Sequence, residues 1–425
     1  MTPHKSIITP PLNGGSVRPE QRNLDVRPVN QVIHVTQTVG RQSYGVGQVA
    51  MHLTREQANL GVPTQVWTFD GPEDIAWAAE NAELSAACIH GFPRSVPHVL
   101  GYSRAMQAAA RAARFEGKVI VHQHLIWLLL SRTPGMLRRA GDVRVVIAPH
   151  GTLDAWALRK SPWRKRLATW IYEGQNLHAA DCLHATSQKE VRDFRDFGLR
   201  NPIALINNGV SSSWVNSVGD AAAFRSRFDL PPDRRIILFI SRIARKKGLP
   251  MLLEAMHQLR HRLAEWLLVI AGVDEEGHEA EVAARAQELG LTERLKFIGP
   301  IFGQPKRDAM AAAELFVLPS HSEGAPMIVL EALAAEVPVL TTHVAPWEEL
   351  VRHDCGWWVE PSVAGLVVAL EAVATLPAER WPLMRRRAKE LVARNYAWSE
   401  IASQTLQLYA WLHGEGNRPA FVHTN

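Results

Sequence analysis

"HSEGAPMIVLEALAAEVPVLTT" runs from His321 to Thr342, directly after "LFVLPS" (315–320). The short apolar run before it reads as a strand buried on both faces. Pro326 suits a first helical turn, so a helix begins near it and covers the Ala/Leu-rich run from Met327. "PVLTT" (338–342) is the next apolar run. Strand, loop, helix and strand in this order imply a parallel sheet, because parallel strands need crossover connections. The loop "HSEGAP" then lies beyond a strand's carboxyl end, where open α/β sheets bind ligands. Gly324 lets a backbone approach a ligand, and free N–H groups at a helix start can bind phosphate. Glu323 and Glu331 both stand near this end of the helix, Glu331 about one turn beyond Pro326. An unpaired carboxylate in a partly buried helix is costly. Vicinal hydroxyls of a ribose would satisfy Glu331 with two hydrogen bonds, and a local basic group is the alternative.

The same grammar extends outward. "RIILFIS" (235–241), "WLLVIAG" (266–272) and "LKFIGP" (295–300) are short apolar runs, with helical patterns at 249–264 and 279–290 between them. The first run ends in "RIARKKG", which crowds Arg242, Arg245, Lys246 and Lys247 between a strand and a helix. Cations in that place suit a diphosphate, and a solvated basic loop is the alternative. Gly272, and Gly299 with Pro300, follow the next two strands as candidate ligand-facing turns, or as plain turns. Toward the N-terminus, strands are expected at "VIHVTQ", "PTQVWTF", "KVIVHQH", "RVVIAPH", "CLHAT" and "IALINN", with a helix over 46–61 closed by Gly61. The Gly/Ser/Asn-rich stretch 207–224 breaks the pattern and marks a domain join. The expected organisation is a loosely attached or disordered segment 1–28, a Rossmann-like domain 29–207, a linker region 208–232, a second Rossmann-like domain 233–390 and a terminal helical segment 391–415.

Composition sets outer bounds. The 425 residues are 47% hydrophobic and carry a net charge of +5, which suits a soluble two-domain protein with a mild basic excess. Cys88, Cys182 and Cys355 are far apart without a CxxC, so neither a disulfide framework nor a structural zinc site is expected, and a reducing cytoplasm fits. The N-terminus lacks the apolar core of a signal peptide, and no apolar run reaches the ~18 residues of a membrane span.

"SRIARKKG", "FIGPIFGQPK" and "LFVLPSHSEGAPMIVLEALAAEVPVLTT", in this order and spacing, resemble the retaining glycosyltransferases of family 4, with the GT-B fold. The Glu-x7-Glu pair at Glu323 and Glu331 matches that family's signature, and the resemblance covers about residues 31–412. It implies two Rossmann-like domains facing across a cleft, with a C-terminal helix crossing back to the first, fixed here by Trp398 and Tyr409. It implies that Arg242 and Lys247 hold a donor diphosphate, Glu323 the donor sugar and Glu331 the nucleotide ribose. Backbone from Gly324 through Ala325 and Pro326 to Met327 would approach phosphates and sugar. The chain departs from the family at Glu336, where glycine is usual, and at Asn207, where proline is usual.

In the first half, "IHVTQTVGRQSYGVGQVAMHL" resembles the family's glycine loop, with Gly45 and Gly47 flanking Val46 in place of a Gly-Gly pair. His150–Gly151 resembles the His-Gly element that reaches the donor sugar. His122 and His124 are candidates for the acceptor side, with core or supporting roles as the alternative. "HGTLDAWAL", "LHATSQKE" and "NPIALINNGV" resemble members that build bacterial surface polysaccharides. Arg159, Lys160, Arg164, Lys165 and Arg166, interleaved with Trp156, Trp163 and Trp170, suit an anionic membrane surface presenting a lipid-linked acceptor. A solvated helix with partly buried tryptophans is the alternative, and nothing here matches a nucleic-acid motif. The implied reaction is metal-free and without cofactor, with retention by front-face attack. An epimerase of the same fold and a non-catalytic scaffold stand as rivals; a phosphorylase would need a cofactor lysine context that is not seen.

Overall fold

Two separate sheets carry the alternating pattern. The computed structural model describes residues 29–41, 43, 45–211, 214–215 and 219–424. The expected loose segment 1–28 therefore lies outside the described residues, as do 212, 213 and 216–218 of the expected linker. The first sheet contains β1 (Gln31–Val35), β2 (Thr64–Thr68), β3 (Ile89–Gly91), β4 (Lys118–His124), β5 (Asp142–Ala148), β6 (Cys182–Ala185) and β7 (Ile203–Leu205). The second contains β8 (Arg235–Ile240), β9 (Trp266–Ala271), β10 (Leu295–Phe297), β11 (Leu315–Leu318), β12 (Val339–Thr342) and β13 (Gly356–Val359). A last strand, β14 (Val422–His423), returns to the first sheet beside β7. The orders are β14-β7-β6-β5-β4-β1-β2-β3 and β10-β9-β8-β11-β12-β13.

Named pairs are parallel except β14 with β7. The central strands were legible because both faces are covered and the apolar run is unbroken. β3, β13 and β14 were not foreseen. They form edges, and β13 is only half-buried along its length, so no buried run announces it. β10 stops at Phe297, short of the expected 300, because Gly299 turns to φ +68°. The helix expected over 249–264 ends at Gln258.

The core of the second sheet includes Phe239 and Phe316, both fully buried. Each contributes about 1.5–3 kcal/mol by burial. The terminal helix Trp398–Leu412 crosses back and covers the first sheet beside the helix Val46–Asn59. Its Ile401, Leu406 and Tyr409 pack with Val49 and Leu53 over Val32, Ile120 and Val146. Trp398, also buried, lies against Gly209 and stacks on His52 at 5.3 Å.

The helix Met327–Ala334 starts directly after Pro326 and is closed by Glu336 at φ +61°. A left-handed non-glycine residue costs roughly 1–2 kcal/mol, and glycine would carry no such strain. Here the glutamate is tied down instead: Lys389 Nζ donates to its Oε1 at 2.8 Å.

Candidate active site

The basic loop and the glutamate loop are stitched together at the carboxyl ends of β8 and β11. Gly248 ends the basic loop at φ +72°, and a Cβ there would fall 2.0 Å from the Pro319 carbonyl oxygen. Only glycine permits that approach. His321 N–H donates to the Lys246 carbonyl at 2.7 Å. The consequence is a buried ion pair between the loops: Lys247 Nζ donates to Glu323 Oε1 at 2.5 Å, with both side chains 8% exposed. Ser320 Oγ donates to the same carboxylate at 2.6 Å. Arg242, beside this pair, donates to Glu275 at 2.6 Å. Arg245 turns outward to Glu281. Burial, and then the neighbouring Lys247 charge, hold Lys246 below the ordinary lysine range.

Glu331 contacts Lys306 Nζ, and Lys306 lies 5.4 Å from the Trp214 ring centre. The local basic partner that the sequence left open is therefore present.

Two glycines expected near the donor have packing reasons of their own. A Cβ on Gly272 would fall 1.8 Å from the Ser241 carbonyl, so its smallness lets the ends of β8 and β9 close up. A Cβ on Gly47 would fall 2.4 Å from Ser43 Cβ, which places that glycine's requirement inside its own turn. Gly299 has open space beside it, and Pro300 next to it is exposed. Gly45 faces Met327, whose Cγ would lie 3.9 Å from a Cβ built there.

The loop after β5 comes from the other sheet to meet this site. His150 and Gly151 both take positive φ, +53° and +75°. A Cβ on Gly151 would lie 3.2 Å from Gly324 Cα, so the two backbones touch across the cleft. Ser322 Oγ donates to Asp154, and the Asn208 amide donates to the Ala325 carbonyl at 3.1 Å. Trp156 stacks on His321 with ring centres 6.1 Å apart and an 11° tilt. Behind the turn, the buried Glu190 accepts from Gly151 N–H and, at 2.6 Å, from Thr186 N–H. Burial raises its carboxyl above the ordinary range.

Asp154, Ser322, Lys306 and Glu190 were not singled out from sequence. Ser187-x-x-Glu190 is a capping-box pattern that could have flagged the last. Ser187 Oγ does cap the helix at Glu190 N (3.2 Å), but the glutamate reaches on to Gly151.

His122 and His124 require correction as acceptor candidates. Both are fully buried. Residues two apart share one face of a strand, and this face of β4 lies under the Val46–Asn59 and Trp398–Leu412 helices. No acceptor can reach them there.

A family model described as "Glycosyl transferases group 1" matches residues 220–390, and one described as "Glycosyl transferase 4-like domain" matches residues 44–209. This chain is a GT-B glycosyltransferase related to family 4. The glycosyltransferase is 27% identical over 396 residues to a D-inositol 3-phosphate glycosyltransferase of Kineococcus radiotolerans, covering 86% of this chain and 90% of that one. It is 26% identical to an uncharacterized glycosyltransferase of Methanocaldococcus jannaschii, a match spanning 49% of this chain and about half (53%) of that protein. Among solved structures it superposes on sucrose-phosphate synthase of Thermosynechococcus elongatus with a TM-score of 0.73 at 22% identity, covering 90% of this chain and 99% of that one. Anabaena HepE in complex with UDP-glucose gives 0.72 at 17%, with the same coverage. These likenesses establish the GT-B fold of the glycosyltransferase. Its chemistry is transfer of a sugar moiety from a nucleotide-diphosphate sugar.

Proposed function

We propose that this glycosyltransferase moves a hexose from a nucleotide-diphosphate sugar to a hydroxyl of a glycan or lipid-linked acceptor, with retention, in the assembly of a bacterial surface polysaccharide. The observation that carries this reading is the Lys247–Glu323 contact, which brings the basic loop and the glutamate loop to one point facing His150–Gly151. Residues 233–390 would form the donor domain and 29–207 the acceptor domain. Lys247, Arg242 and the free N–H groups starting the Met327–Ala334 helix would bind the diphosphate, with Gly324, Ala325 and Pro326 giving backbone access. Glu331 would take the ribose hydroxyls, sharing its charge with Lys306. As the C1–O bond to phosphate breaks, its electron pair goes to the diphosphate, where those cations stabilise it. The acceptor oxygen bonds to C1 on the same face, and its proton passes to the departing phosphate oxygen. Closure of the two domains limits competing hydrolysis.

Glu331→Gln tests the donor half. A charged hydrogen-bond acceptor contributes ~1.5–3 kcal/mol, so dissociation constants across a panel of UDP-, GDP- and ADP-sugars should rise roughly 10- to 150-fold for the preferred donor. Circular dichroism should show the fold retained. Unchanged affinity removes the ribose assignment, and free sugar released at full rate without any acceptor would favour an epimerase.

The acceptor half rests on one surface. Trp163 and Trp170 are 63% and 84% exposed, with Leu167 and Ile171 also out in solvent. Arg159, Lys160, Arg164, Lys165 and Arg166 surround them, and a cavity of about 650 Å³ opens beside Trp170, Leu158 and Phe197. No helix among the described residues is long and apolar enough to cross a membrane. Peripheral docking on an anionic cytoplasmic face would present a lipid-linked acceptor here. Co-sedimentation should be strong with vesicles containing anionic phospholipid and weak with neutral ones, and Trp163→Ala/Trp170→Ala should abolish it. Equal pelleting of the double variant removes this reading.

A further inference from the structure

Four histidines on one face of the first sheet form hydrogen-bonded chains whose directions can be worked out from their ends. His34, His122, His124 and His184 come from β1, β4 and β6 and are at most 1% exposed. His150, just beyond β5, is only partly covered.

One chain starts at a carbonyl, which can only accept. His184 Nε2–H donates to the Ile206 oxygen at 2.8 Å, so His184 Nδ1 is an acceptor. His122 Nε2–H donates to it at 3.3 Å, and the His122 Nδ1 then accepts from Tyr409 O–H at 2.7 Å. A second chain starts in the terminal helix. Thr405 Oγ donates to the Ala402 carbonyl at 2.7 Å, so it can only accept from the Gln57 amide at 2.9 Å. That turns Gln57 Oε1 toward His34, whose Nε2–H donates to it at 2.9 Å. His34 Nδ1 must accept from His124 Nε2–H at 3.0 Å, and His124 Nδ1 from His150 Nε2–H at 3.0 Å. The two chains agree where they meet, because the Gln57 amide also donates to Tyr409 Oη at 3.4 Å. Every ring nitrogen of the four buried histidines is thereby used once. Burial, the largest cause, holds His34 and His184 down to about 4 and His150 to about 3, so neutral rings are the right species for this accounting.

We propose that Thr405 and Gln57 act as positioning residues for sugar transfer: through His34 and His124 they fix His150 as its Nε2–H tautomer and leave its Nδ1 lone pair as a hydrogen-bond acceptor at the cleft. The ligand chemistry this selects is a hydroxyl group of the donor sugar that donates to Nδ1. The inference rests on the donor reading above for what His150 meets, but not for the tautomer. The terminal helix thereby gains a second role. Besides joining the domains, it sets the proton on a residue at the cleft. His34, His122 and His124 also offer ring nitrogens within 4.8 Å of one another, a spacing that a metal ion could bridge. A metal would have to break bonds that the chains already satisfy.

Nitrogen-15 NMR of histidine-labelled full-length protein reads the tautomer directly. The wild type should show His150, assigned by its loss in His150→Gln, with Nε2 protonated and Nδ1 bare. An Nδ1–H signal would overturn the proposal without any variant, and so would displacement of the His34, His122 and His124 signals by one equivalent of Zn²⁺. Thr405→Val keeps the side chain's shape and removes the nearer of the two oxygens, Thr405 Oγ and Tyr409 Oη, that orient Gln57. It should yield a mixture of His150 tautomers and a roughly 3- to 10-fold lower kcat/KM, with Thr405→Ser restoring both. A single unchanged tautomer in Thr405→Val overturns the inference. Failure of the donor reading would instead appear as a correct tautomer with His150→Gln fully active.

Discussion

Lys247→Met is expected to lower kcat by roughly 10²- to 10³-fold, the range seen when one group that stabilises developing negative charge is removed. It is also expected to destabilise the protein. The substitution leaves Glu323 buried, with the Ser320 hydroxyl as its remaining hydrogen-bond partner among the described residues. Breaking a buried pair from one side costs ~3–5 kcal/mol, most of it the stranded charge. For a domain of this size that is roughly 10 °C in melting temperature. The two effects separate in a double substitution. Lys247→Met with Glu323→Gln removes the stranded charge, so most of the lost stability should return while transfer stays at or below the rate of Lys247→Met. Scanning calorimetry and a product assay on the two variants decide the matter. Retention of kcat within tenfold in Lys247→Met would remove the lysine from the diphosphate. A double variant no more stable than the single would show that the buried pair is not what sets the loop junction.

The sequence showed much of this site because its parts are local in the chain. Pro326 starts a helix, and the basic loop and the glutamate loop each follow a short apolar strand; such features are written in residue type within a few residues, whereas Gly248 answers to the Pro319 carbonyl at the end of another strand. The pairing of Lys247 with Glu323 was not legible, since 76 residues separate them. The strand order β8 beside β11 brings them together, and no spacing rule encodes that order. The same holds for His122 and His124. Their place beyond an apolar run suggested a cleft, but alternation along β4 puts both on the face that the terminal helix covers. That helix begins 274 residues after His124 (398 − 124). Glu336 was legible as a departure, and the structure shows the left-handed turn it must adopt. Gly272 and Gly47 show the limit of reading glycine as ligand access: each is needed, but for the approach of another part of the protein.

Acid should unfold this protein well before ordinary carboxylate titration would. In the unfolded chain His34 and His184 protonate near 6.5, and in the folded protein burial delays this to about 4. Between those values the unfolded chain binds more protons, so stability falls as pH is lowered through that window and levels off below it for these two groups. At pH 5 each contributes a loss of ~2 kcal/mol, and two alone remove ~4 of the ~5–15 kcal/mol that holds a domain together. His122 and His124 act in the same direction, held well below the ordinary range first by burial and then by their histidine neighbours. The buried carboxyls Glu173 and Glu190 are raised by burial and act in the opposite sense, which trims the effect. Calorimetry from pH 7.5 to 4.5 should show the melting temperature flat above about pH 7 and lower by ~10 °C at pH 5. A flat profile down to pH 5 would mean that the histidine face opens to water or carries charge when folded. The same numbers separate stability from chemistry. Burial holds folded His150 down to about 3, so an activity loss between pH 6 and 5 does not come from protonation of that ring. A loss that tracks the fraction unfolded belongs to the sheet face behind it.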